Sequence, residues 1–132
     1  MLRLPAQVLV RSVALTAVSL AFQQGWVTAS DDPVGQGLTA LAALVAIAAA
    51  WGAVDGWRHT ASAVVVPWLL TGVVVAGASS FTVQLGHGFD LAIALSDLAT
   101  GLPFLTGLVA VPGITAGAVV SLVRPPRPAG VS

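Results

Sequence analysis

Ten charged residues, five Arg and five Asp, cut this 132-residue chain into four long uncharged windows. The windows are residues 12–30, 33–54, 59–89 and 98–123, of 19, 22, 31 and 26 residues. A helix that crosses a bilayer needs about 20 mainly apolar residues. In hydrocarbon every backbone N–H and C=O must be paired within the protein, so only helices and closed barrels cross. Four segments cannot close a barrel and none alternates apolar with polar residues. The windows therefore predict an all-α, four-helix integral membrane bundle.

Composition excludes the alternatives. Charged residues are 8% and apolar residues 57% of the chain, with a mean hydropathy of +0.96. Soluble domains carry about 25% charged residues, and disordered chains are charged and poor in apolar residues. Zero Cys removes disulfides and thiolate metal sites, and a net charge of zero provides no basic field for nucleic acid. No HExxH, GxSxG or phosphate-loop pattern is present, so the expectation is a protein that is not an enzyme and carries no cofactor and no metal.

The helices are expected at about 8–29, 38–57, 62–85 and 102–123, followed by an Arg/Pro-rich tail, 124–132. Arg11 lies within the first and is expected to snorkel toward the headgroups. The stretch Leu91–Val123 is apolar for 33 residues but broken by Asp97, Pro103 and Pro112. It reads as a short interfacial helix over 91–100 and then the fourth span. The alternative is one long, tilted, kinked helix. All five Arg fall on one side of a four-crossing chain, which places both termini in the cytoplasm and the protein in the inner membrane, multi-pass. Trp26, Trp51, Trp57 and Trp68 lie near proposed helix ends, as an interfacial belt requires. A competing reading takes the N-terminus as a signal peptide cleaved after Ala29.

Polar groups inside a membrane are costly and mark candidate sites. Four carry the functional question: Asp97, Asp55, Gln23 and Gln24, as contacts for substrate or proton. Asp55 ends the second helix, where the macrodipole disfavours an anion, and Arg58 is the nearest residue to offset it. Asp97 has no base nearby in sequence; it reads either as a desolvated proton carrier or as an interfacial residue. The two Gln have interhelical hydrogen bonding as their alternative. His59 and His87 fall on opposite membrane sides and cannot share a metal. Small residues in Gly52-x-x-x-Gly56 and Gly113-x-x-x-Gly117 allow close helix approach, within the bundle or between subunits.

The segment Ala50-Trp51-Gly52-Ala53-Val54-Asp55-Gly56 and the stretch from Leu98 to Gly107 resemble the small four-helix drug/metabolite transporter-like membrane proteins of actinobacteria. The resemblance implies a bundle that moves a small solute across the bilayer. The small multidrug exporters are similar in size and helix number, but carry a Glu in helix one that this chain lacks. The expected partners are the lipid bilayer and further copies of the chain or a larger membrane complex. A non-catalytic accessory or assembly subunit of such a complex is the alternative function.

Overall fold

The computed structural model describes residues 3–25 and 32–125, and side chains from residue 5 onward except 83–87. It contains four α-helices: α1 (Arg3–Gln23), α2 (Pro33–Arg58), α3 (Ala61–His87) and α4 (Leu91–Val123). All four are long and apolar enough to cross a membrane. The protein is a multi-pass, four-helix membrane bundle. Trp26, Asp31, residues 27–29 of the proposed cleavage site, and the tail beyond Pro125 lie outside the described residues.

Local chemistry marks the helix ends. Gly25 takes a left-handed φ of 68° after α1, and its N–H bonds the Phe22 carbonyl at 3.0 Å. This conformation costs a residue with a Cβ and costs Gly little. Asp32 caps α2, its Oδ1 accepting from the Val34 N–H at 3.1 Å, with Pro33 in the first turn. Asp90 caps α4, accepting from Ala92 and Ile93. Arg124 and Pro125 end it, since Pro cannot continue the ladder.

The fourth span corrects the sequence expectation. Leu91–Val123 is one continuous helix of 33 residues, about 50 Å long, with Pro103 and Pro112 inside it. Each Pro removes one backbone hydrogen bond, but a break in hydrocarbon would leave several groups unpaired. Packing on α2 and α3 supports the helix, which continues through both prolines. The first helix starts and ends earlier than expected, at Arg3 and Gln23. The second starts at Pro33, five residues before the expected Leu38.

In cross-section α4 packs on α2 and α3, and α1 packs on α3 and less extensively on α2. Among the described residues the backbones of α1 and α4 are not neighbours. The α2–α4 seam is backbone against backbone. A Cβ on Gly52 would meet the carbonyl of Gly113, and one on Gly56 would meet that of Gly117. Both pairs keep the same offset along the chain, so α2 and α4 run parallel, as helices two crossings apart must. On its other side α4 runs antiparallel to α3. A Cβ on Gly72 would lie 2.8 Å from the Thr106 carbonyl, and Gly113 faces Trp68. The two GxxxG motifs thus recognise each other within one chain.

Large apolar side chains face outward: Leu122 is 79% exposed. Arg11 is 3% and Asp55 5% exposed. An apolar exterior around a buried ion pair inverts the usual soluble arrangement and fits a lipid solvent. A core of Leu15, Leu44, Ala48, Val64, Trp68, Val75 and Val109 draws on all four helices.

Candidate functional site

Asp55 lies one turn from the end of α2, where unpaired carbonyls make an anion unfavourable. Its partner comes from α1. Arg11 Nη2 donates to Asp55 Oδ1 at 2.7 Å, with the two side chains 4% and 7% exposed. The expectation that Arg11 snorkels is corrected by this pair. Arg11 lies eight residues into α1, about 12 Å from its start, and points into the bundle. Inside, a carboxylate is within reach, and a charge-assisted bond to it replaces headgroup solvation. Arg58, the nearest base in sequence, is exposed.

The second carboxylate oxygen is held by α3. Trp68 Nε1 donates to Asp55 Oδ2 at 3.0 Å. The indole is fully buried, and the Arg11 guanidinium carbon sits 5.2 Å from its centroid. A desolvated cation over an indole face is stabilised by about 2 kcal/mol. This corrects the placement of Trp68 in an interfacial belt; Trp51 is half-buried and Trp57 is 60% exposed. Gly113 makes room for the ring, since a Cβ there would overlap the indole, 2.5 Å from Cε3. The motif that joins α4 to α2 therefore also seats Trp68.

Three further observations complete this end of the bundle. Nη1 of Arg11 is buried and has no hydrogen-bond partner among the described residues. Arg124, at the end of α4, donates to the carbonyls of Trp57 at 2.9 Å and Gly56 at 3.4 Å, capping α2 with positive charge. A cavity of about 270 Å³ opens beside the ion pair, lined by Gln7, Arg11, Asp55, His59, Ala63, Val64 and Pro67. It lies within one chain, between α1, α2 and α3.

The other sequence candidates are not brought to this cluster. Asp97 is exposed on α4, 20 residues before the Gly117 that faces Gly56. That separation is about 30 Å of helix, so the two carboxylates mark opposite ends. Asp90 takes the N-cap role at that end. Gln23 donates to Ser19 Oγ at 3.1 Å on its own helix, and Gln24 is exposed. His59 follows α2 and His87 closes α3, at opposite ends. Among the described residues no group of three His, Cys, Asp or Glu could hold a metal. Arg11 and Trp68 are the residues that sequence reading missed. Each carried a signal: an Arg inside an apolar run and a Trp directly after an intrahelical Pro.

No protein-family model matches the chain, and neither a curated protein nor a solved structure does.

Proposed function

We propose that this protein is a small transporter of the drug/metabolite kind its sequence resembles, with both termini on the cytoplasmic side of the inner membrane. It acts as a homo-oligomer or within a larger membrane complex. The observation that carries the reading is the buried Arg11–Asp55 pair lining a cavity at the Arg-rich end. Membrane proteins keep buried charge where solute or protons are handled, and a pair with apolar neighbours contributes little net stability of its own. Arg11 and Asp55 together line the cavity in which solute is held. Asp97 stands at the far end, where a solute leaving the bundle would meet water.

The test is counterflow of a panel of labelled small solutes in proteoliposomes. Wild type is expected to accelerate at least one solute over empty liposomes. Arg11→Gln with Asp55→Asn, which removes both charges together, is expected to abolish that flux, and Asp97→Asn to leave most of it. Equal flux in the double variant and wild type would remove the pair from the mechanism. No flux for any solute, with other membrane proteins co-purifying in mild detergent, would make the chain an accessory subunit instead.

A further inference from the structure

We propose that the cavity at the Arg-rich end receives an anionic group, a carboxylate or phosphate on a small, partly apolar molecule, and that Arg11 is its principal donor. This deepens the transporter reading and rests on the cavity being a solute site. Three observations carry it.

The first is the hydrogen-bond balance of the cluster. Both Asp55 oxygens already accept a bond, Oδ1 from Arg11 and Oδ2 from Trp68. Arg11 makes its contact to Asp55 through Nη2 alone, and its buried Nη1 has no partner among the described residues. A guanidinium carries five N–H donors and no acceptor, and a buried donor without an acceptor is costly. The cluster therefore holds an unused buried donor, while each Asp55 oxygen already accepts one charge-strengthening bond. A cationic solute would meet the Arg11 charge that already neutralises Asp55, whereas an anionic one adds a bond to an unused donor. Nη1 is covered, so binding there requires the guanidinium to turn about its bond to Asp55.

The second is the field. Arg11, Arg58 and Arg124 lie at this end against Asp55, while Asp32, Asp90 and Asp97 belong to the opposite end. Low-dielectric walls focus such a field into a cleft and raise the local concentration of the opposite charge.

The third is the lining. Gln7 and His59 bring polar side chains, and Ala63, Val64 and Pro67 form an apolar wall. Ligand pockets are mostly apolar with a few placed polar groups, and hold roughly 300–1,000 Å³. At about 270 Å³ this one takes a body of about one ring or a short chain.

The experiment uses the full chain in nanodiscs of zwitterionic lipid and three fluorinated probes of one shape: para-fluorobenzoate, para-fluorobenzamide and para-fluorobenzylammonium. Fluorine NMR line broadening is read against empty discs. Broadening is expected for the benzoate above the other two. Arg11→Lys keeps a charge for Asp55 but loses the guanidinium fork, and is expected to weaken benzoate binding at least about tenfold. Ala63→Leu, which puts a larger side chain into the cavity and changes neither charge of the ion pair, is expected to weaken it as well. A second set of discs containing phosphatidylglycerol separates the sources of the anion. Loss of benzoate binding there assigns the site to a lipid headgroup, and retention assigns it to a soluble anion; both support the proposal. Stronger binding of the benzylammonium or benzamide would overturn the anion assignment and leave the solute site standing. Absence of binding by all three probes would overturn both.

Discussion

At one end of the bundle a single Asp is covered by three helices, with an Arg on one oxygen and a Trp on the other. At the opposite end Asp32 and Asp90 stay exposed and cap helix N-termini, and Asp97 faces outward from α4. The same side chain is thus used in two ways. Where the macrodipole favours it, at an N-terminus, Asp stays exposed and accepts bonds from backbone N–H groups. Where the macrodipole opposes it, at the end of α2, it is paired with a guanidinium 44 residues away in the chain. At one end the carboxylates are exposed and serve helix boundaries; at the other the carboxylate is buried and lines a cavity.

The largest expected effect breaks the glycine seam under the covered end. Gly113→Ala is expected to destabilise the bundle by about 3 kcal/mol or more, because the added carbon meets an indole that cannot withdraw. Gly101→Ala, at the Asp-rich end of α4 with nothing within 4 Å, is expected to change stability by no more than about 1 kcal/mol. Unfolding by denaturing detergent in mixed micelles measures both. Similar losses would show that the seam is not selective for Gly at the contact positions.

The ion pair comes next. Asp55→Asn alone leaves Arg11 buried without a counter-charge, and a loss of about 3–5 kcal/mol is expected. Adding Arg11→Gln is expected to recover part of it, so the two effects are not additive. Asp97→Asn is expected to stay within about 1 kcal/mol of wild type. If Asp55→Asn and Asp97→Asn cost the same in the same unfolding titration, the contrast between the two ends collapses.

Trp68→Phe keeps a ring in the seat above Gly113 but removes the N–H to Asp55. A loss of about 1–3 kcal/mol is expected. It should shrink sharply once Asp55→Asn is already present, and a double-mutant cycle reads that coupling. The smallest effect is at the far end: Asp90→Ala removes the cap of α4 at about 1 kcal/mol. Hydrogen exchange of the Ala92 and Ile93 amides should rise while those around Trp68 stay unchanged.

The length and polarity of the helices were legible in the chain because the membrane imposes them locally. A run without charge has to cross, and each crossing has to be helical. The Gly52/Gly56 and Gly113/Gly117 motifs were legible as close contacts, but not as contacts with each other. Spacing shows that a face is narrow and leaves its partner open. Asp55 was legible as a carboxylate in need of a counter-charge. The identity of that counter-charge was not, because Arg58 is adjacent in sequence while Arg11 lies on another helix. The division of the fourth span was misjudged for a related reason. Pro103, Pro112 and Asp97 are local breakers, and the packing that overrides them comes from α2 and α3.

The amino-acid sequence by itself determined that this chain forms four helices long enough to cross a membrane, with its Arg and Asp segregated, since hydrocarbon tolerates neither free backbone groups nor scattered charge. Only the tertiary structure decided which of those charges is buried, and with whom. The parallel glycine seam between α2 and α4 seats Trp68, and α1 carries Arg11 to Asp55, so a desolvated site forms from residues that no spacing along the chain connects.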